Sequence, residues 1–291
     1  MTGGTTKQTN KVIPLEAVRS FVPDGSSLFL GGFTLFRSPL GLVRELARSR
    51  PRDLTVWSHI GGAGIELLLA VGAVRHVRSS YVGLDLIGPA PLFTRGATTG
   101  VFEYTEETEA TLMFGMKATM YRLPFMPSRA LVGSEIVTSR DDLLEYDCQI
   151  SGERLVAIPP VRTDVCFLHG HLADRAGNVQ LHGTMGNDIE IAKVADVVVV
   201  SVERVADTDE LRRNPELTRL PSHLVDAVVE LPGGAYPASC LPAYEVDYDY
   251  FLEYVDAVDA GNVDDFVAKH IDGPVFADYL ASRVGERLAA P

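Results

Sequence analysis

Short apolar runs of strand length alternate with segments of helical period along most of this chain, and that alternation restricts what it can fold into. Leu28-Phe29-Leu30 precedes PLGLVRELARS (39–49), and LTVWS (54–58) precedes the helical GIELLLAVG (64–72). HVRSSYVG (76–83), RLVAIPP (154–160), TDVCFLHG (163–170) and DVVVVSV (196–202) are further strand candidates. NDIEIAKVA (187–195) has helical spacing between the last two, and LVDAVVEL (224–231) adds a late strand. Strands that alternate with helices form a largely parallel sheet covered on both faces, so the expected fold class is α/β with three layers, α/β/α. From Tyr244 onward the sequence is acidic and aromatic with helical period, as in DYFLEYVDAVDA (249–260), and reads as a helical C-terminal extension. The stretch 84–106 carries Gly88, Pro89, Pro91 and Gly96 and reads as irregular. In open α/β sheets such stretches sit at strand ends, where ligands bind.

At 291 residues the chain has room for one large domain, and the simplest division is a polar tail (1–14) before a single domain (15–291). The N-terminus, MTGGTTKQTNKVIPLEAV, lacks the apolar core of a signal peptide, and no run approaches the ~20 apolar residues that span a bilayer. Cys148, Cys166 and Cys240 are far apart without a CxxC pair, which argues against a disulfide framework or a zinc site and for a cytoplasmic protein. A formal charge of −13 argues against nucleic acid as a partner.

Three stretches hold candidate chemistry, each with a plain structural alternative. In DGSSLFLGGFTLFRSP (24–39), Gly31-Gly32 between a strand and a helix suits a tight turn that a ligand or another backbone approaches closely, or a bulge with no ligand. It matches neither GxGxxG nor a phosphate loop. Arg37 beside it suits a clamp on a carboxylate or phosphate, or the surface. In EYTEETEATL (103–112), Thr105 or Thr108 caps a helix, and acidic residues in a first turn favour its dipole. Glu106 and Glu109, three apart, are expected on one helical face, where a partly buried carboxylate serves as base or nucleophile. His169-Gly170-His171 places two imidazoles on one face of a strand, but zinc needs at least three protein ligands, so a hydrogen-bonding role is favoured over a metal. Cys148 and Cys240, with no histidine adjacent in sequence, read as buried structural cysteines.

Taken together these segments resemble the α-type subunits of family I CoA-transferases, above all the glutaconate-type branch. The resemblance rests on DGSSLFLGGFTLFRSP, LTVWSHIGGAG with VRSSYVG, RLPFMPSRALVGSEI, GERLVAIPPVRTDVCFLHGHLADRAGNVQLHG and LVDAVVELPGGAYPASC, in that order from about residue 15 to about residue 285. It implies a CoA-transferase (NagB-like) fold and a β-type partner subunit, in an α2β2 or larger complex. It also implies an acyl-CoA substrate that brings coenzyme A with it, with no separate cofactor and no metal. The nucleophilic glutamate would come from the partner. On this chain it points to Gly31, Gly32, Phe33, Arg37, Ser58, Ser80, Gly83 and Glu103 as substrate-binding residues and to Glu109 and Glu106 as catalytic candidates. Gly115 stands where glutaconate-like members carry an arginine. Ketoacid-type members carry glutamine in place of Glu109, whereas a branch of steroid-ring-opening CoA-thioester hydrolases carries a glutamate that serves hydrolysis. Transferase and hydrolase both stay open at this point, with a non-catalytic supporting chain as a third reading.

Overall fold

The computed structural model describes residues 10–284. In chain order the strands are β1 (Ser27–Leu30), β2 (Leu54–Gly61), β3 (Val74–Val82), β4 (Glu103–Glu106), β5 (Met126–Ser128) and β6 (Leu144–Asp147). They continue as β7 (Arg154–Ile158), β8 (Thr163–Asp174), β9 (Val179–Gln180), β10 (Ala195–Ala206), β11 (Thr218–Leu220) and β12 (Ala227–Glu230). The helices are α1 (Leu40–Arg48), α2 (Ala63–Ala70), α3 (Pro91–Thr99), α4 (Glu109–Met120) and α5 (Glu135–Ser139). They are followed by α6 (Asp188–Val194), α7 (Thr208–Leu211), α8 (Tyr248–Asp259), α9 (Val263–His270) and α10 (Phe276–Val284).

A parallel array runs β12-β10-β8-β1-β2-β3-β4, while β9 pairs antiparallel with the last residues of β8 and β11 pairs antiparallel with β9. Successive strand residues point to opposite faces, and the apolar runs are long enough to fill both. On β1, Leu28 and Leu30 enter the core shared with α1 and α2, while Phe29 enters the one shared with α4 and α6. On β8, Val165 and Phe167 take the first face and Cys166 and Leu168 the second. These two cores make the three layers expected from the alternation of elements.

The apolar run RLVAIPP does form a strand, but not in this sheet. As β7 it is the middle strand of a separate antiparallel trio, β5-β7-β6, around Val137, Leu143, Val156 and Ile158. A short turn suffices to fold β7 back on β6, whereas a parallel strand needs a long crossover. The stretch 84–106 is also more regular than its prolines and glycines suggest, since it contains α3 and the edge strand β4. Pro91 opens α3, and the buried Glu66 carboxylate of α2 accepts from Leu92 N at 3.0 Å and Phe93 N at 2.7 Å. A carboxylate on a neighbouring helix thus caps a helix that has no cap of its own.

The expected tail falls partly on residues 1–9, which lie outside the described residues. Beyond them, Ile13 N donates to Val228 O and Val228 N to Lys11 O, both at 2.9 Å, so this segment covers the outer edge of β12. The C-terminal helices pack on the α1–α3 layer and belong to the same core. Tyr254 donates to Glu66 at 2.7 Å, and Arg44 of α1 donates to His270 O at 2.6 Å and Pro274 O at 2.7 Å. Among the described residues no helix is long and apolar enough to cross a membrane.

Candidate active site at the strand ends

Because the array is parallel, β1 to β4 finish on one side, and the loops after them meet there. Gly31 N donates to Phe167 O at 3.0 Å, and Gly32 N to Asp188 Oδ1 at 2.8 Å. A Cβ at Gly31 would lie 2.2 Å from Leu168 Cδ2 and 2.7 Å from Asp188 Oδ1. Gly32 has φ +84°, and a Cβ there would lie 2.8 Å from Arg37 O and from Ser38 N and Cα. The atoms that crowd the two glycines are therefore the protein's own. Phe33 forms a tight turn with Phe36, their amides and carbonyls bonding reciprocally at 2.8–2.9 Å, and Gly186 packs against its ring.

Arg37 does clamp a carboxylate, but an internal one. It is 3% exposed, pairs with Asp188 Oδ2 at 2.8 Å and donates to Thr184 O and His169 O, each at 3.1 Å. It does not face an open cleft, which corrects the expectation that it binds substrate directly. Asp188 is fully enclosed: burial raises its pKa, and the Arg37 charge and the Gly32 amide oppose the rise. Arg37 and Asp188 thus hold the start of α6 against the glycine turn.

The acidic cluster divides at a strand-to-helix boundary. Thr108 caps α4, accepting from Thr111 N at 3.0 Å while its own N donates to Thr111 Oγ1 at 2.8 Å. Glu109 is the first residue of that helix and is exposed. Glu106 lies on β4, so the two do not share a helical face and that expectation fails. Glu103 sits at the opposite end of β4, with its side chain 67% exposed and 3.5 Å from Arg75, away from the strand ends. The buried member is Glu107, at 2% exposure: it accepts from Arg78 Nε at 2.8 Å, Arg140 Nη1 at 2.5 Å and Thr111 Oγ1 at 2.6 Å. Arg78 in turn lies 4.3 Å over the Trp57 ring.

The alternation that turns Trp57 toward α4 turns His59 the same way. Asn187, just before α6, donates from Nδ2 to His59 Nδ1 at 3.0 Å, which places the imidazole proton on Nε2. Nε2 is buried and has no hydrogen-bond partner among the described residues. Burial lowers the His59 pKa, and the charge of Glu109 acts against that. Ser80 Oγ donates to His59 O and fixes its backbone. Ser58 is buried on the other face, beside Gly61 and Ile65 in a void of about 10 Å³. Gly83 packs on the glycines ending β2, its N donating to Gly61 O at 3.1 Å. Of the expected site residues, Ser80 thus holds the His59 backbone and the Glu109 charge acts on its ring, Gly31 and Gly32 form the adjoining turn with Ser58 lining the same small void as Gly31, and Glu103 lies at the far end of β4.

The HxH pair belongs to a second buried network. His169 bonds through Nδ1 to Ser201 Oγ at 2.8 Å and through Nε2 to Glu203 Oε1 at 2.7 Å. Glu203 also accepts from Tyr244 OH at 2.7 Å and Gly233 N at 2.8 Å. Burial pushes the Glu203 carboxyl upward, but these hydrogen bonds outweigh it and hold the pKa below the usual range. His171 Nε2 donates to Leu241 O at 2.8 Å and lies 3.4 Å from Cys240 Sγ, so Cys240 does have a histidine neighbour. Burial, then the Glu203 charge, pushes that thiol up to about 12, which keeps it protonated. His169, Glu203 and Cys240 have ligand atoms within 4.8 Å of one another and are the set with metal-binding chemistry among the described residues. As they stand, those atoms are engaged in hydrogen bonds. Cys148 is half-buried rather than buried.

His59, Asn187, Asp188 and Glu107 went unrecognised in the sequence. HIGG at a strand end was a visible signal for His59, and the Asn-Asp start of NDIEIAKVA was one for the α6 pair. Nothing local distinguishes Glu107 from its neighbours.

The coenzyme A transferase family model matches residues 12–231. The chain is 33% identical over 271 residues to the cholesterol ring-cleaving hydrolase IpdA subunit of Mycobacterium tuberculosis, covering 89% of this chain and 91% of that one. It is 28% identical over 267 residues to the A-type chain of glutaconate CoA-transferase from Acidaminococcus fermentans, covering 86% and 83% of the two chains. The crystal structure of glutaconate coenzyme A-transferase from that organism superposes with a TM-score of 0.88 at 27% identity, over 96% of this chain and 94% of that chain. An uncharacterized Archaeoglobus fulgidus protein is 33% identical over 242 residues, and that match takes in 82% of this chain but spans only 54% of the other protein's length.

Proposed function

Because this chain belongs to the coenzyme A transferase family, we propose that it is the A-type subunit of a two-chain enzyme that moves CoA from an acyl-CoA thioester to a carboxylic acid. Similarity to the A-type chain of a glutaconate CoA-transferase over nearly the whole length carries this reading. In the reaction proposed, a glutamate of the β-type partner attacks the thioester carbonyl. The C–S bond breaks, CoA leaves as thiolate and an acyl-glutamyl anhydride forms. The thiolate then attacks the glutamyl carbonyl, releasing the first acid and leaving a glutamyl-CoA thioester, which passes CoA to the second carboxylate by the same two steps in reverse. A carboxylate is a competent nucleophile once desolvated beside oxyanion donors. This chain would supply the wall of the site: the glycine turn, Ser80 and the exposed Glu109.

A second reading is hydrolytic cleavage of a C–C bond in a cyclic CoA thioester, with Glu109 as the base that takes a proton from water. Its support is the 33% identity to a ring-cleaving hydrolase subunit, together with a carboxylate at that position. Intact-mass analysis of the assembled complex after exposure to acyl-CoA separates the two. A CoA adduct on the partner, still formed by the Glu109→Gln complex with a modest rate change, supports transfer. Hydrolysis without an adduct, slowed ~10²–10⁴-fold by Glu109→Gln, supports the second reading.

A further inference from the structure

We infer that His59 is a positioning residue, its Nε2–H being the anchor that holds the Glu109 carboxylate in its working orientation. The inference rests on Glu109 being a reacting group, as in the hydrolytic reading above. It starts from an unpaired donor. Asn187 occupies Nδ1 of His59, Ser80 ties down its carbonyl, and Nε2 is buried with no partner among the described residues. A buried unpaired N–H is destabilising, so its retention calls for an explanation, and an acceptor that settles on it during function is one.

The neighbouring elements carry the polar side chains that compete for this donor. From α6 come Asn187, already engaged, and Asp188, turned away onto Gly32 and Arg37. From β3 comes the Ser80 hydroxyl, which donates to the backbone. From α4 comes Glu109, whose charge acts on the ring. Glu107, two residues earlier, is committed to Arg78 and Arg140. Glu109 is therefore the acceptor left over, exposed on the first turn of a helix whose start is fixed by the Thr108 cap. An Asn187–His59–Glu109 line then does for a carboxylate what a buried acid does for a catalytic histidine: it sets the tautomer and the direction.

Three variants of the two-chain complex test this, each checked for assembly with its partner. His59→Leu removes the donor and is expected to lower kcat on the order of 10²-fold, with KM within ~3-fold, as misplacement of a reacting group does. His59→Gln keeps an acceptor for Asn187 and a donor for Glu109 and should recover most of the loss. Asn187→Leu releases Nδ1, lets the proton divide between the two ring nitrogens and should lose part of the rate. In a Glu109→Gln background, His59→Leu should add less than ~2-fold, since the effect passes through Glu109. Nitrogen NMR of the histidine-labelled complex should show His59 protonated on Nε2 alone, whatever the activity. An additive His59 loss in the Glu109→Gln background, or a proton on Nδ1, overturns the inference while leaving the role of Glu109 intact. Wild-type turnover by the Glu109→Gln complex overturns the role of Glu109 and the inference with it.

Discussion

Gly25→Ala and Gly32→Ala form a matched pair that measures what crowds the glycine turn. Both residues are left-handed, with φ of +81° and +84°, so each alanine meets a similar backbone strain of about 1–2 kcal/mol. Each also gains about 0.4–1 kcal/mol from a less mobile unfolded chain. These contributions cancel in the comparison. A Cβ at Gly25 has nothing within 4 Å, whereas at Gly32 it comes 2.8 Å from three backbone atoms of Arg37 and Ser38. That segment is held by Arg37 N donating to Ser239 O at 2.7 Å and Ser38 Oγ donating to Thr34 O at 2.7 Å, so it cannot easily withdraw. Overpacking of this kind costs about 1–3 kcal/mol, and that is the expected difference between the two variants. Urea unfolding of the wild-type and variant complexes at one concentration reads it out, with Gly32→Ala the less stable. Equal destabilisation would refute the steric reasoning. Normal stability with lost turnover in Gly32→Ala would mean that the space belongs to a ligand after all.

Glu107→Gln should be among the most destabilising single changes, by about 3–5 kcal/mol, because it leaves two guanidinium groups facing a neutral amide in a buried position. Hydrogen exchange should show the β5–β7 region loosening first, since Arg140 anchors it there; uniform loosening would count against that role. Glu66→Gln retains one acceptor for the α3 amides but loses the other, and should cost about 1–2 kcal/mol with faster exchange at Leu92 and Phe93. Burial holds the His171 pKa down to about 4, with His182, His169 and Arg37 acting the same way and the bond to Leu241 O opposing. A histidine kept neutral by folding contributes stability that is complete above its unfolded pKa of ~6.5 and is lost as pH falls toward 4. Unfolding free energy should therefore decline across that window by up to about 1.4 kcal/mol per pH unit from this group, and His171→Gln should flatten the decline.

The main sheet was legible because each run from Leu28 to Leu231 carries both its strand period and its crossover helix in sequence. RLVAIPP misled because a fully apolar run says nothing about which sheet it joins; the turn at 148–153 decided that. Among the glutamates, burial depended on where β4 pairs with β3. His76 opposite Glu103 and Ser79 opposite Glu106 end the strand there and turn Glu107 inward between two arginines. A shift of one residue would have exchanged their fates, and no local pattern sets that register. Arg37 suits a clamp or the surface on sequence alone, and the carboxylate it clamps lies 151 positions further along the chain, at a helix start that nothing in the sequence ties to it. Long-range pairing of single polar residues is where sequence periodicity stops being informative.

Asn187 and Asp188 are adjacent, yet one reaches His59 at the end of β2 and the other the turn after β1. The connection before them, from Leu181 to Gly186, has the glycines and exposure of a segment that accepts insertions freely. With Thr184 O also bound to Arg37, its length is pinned at both ends. Adding or deleting one residue there would rotate α6 and withdraw both side chains at once. Variation in loop length, by which many enzymes acquire new substrates, is thus closed to this connection. It remains open to the parts of the 121–154 excursion away from the Arg140 clamp on Glu107, where Tyr121, Leu123, Phe125, Leu144 and Ile150 stand exposed and, unlike Asn187 and Asp188, hold no strand end in place.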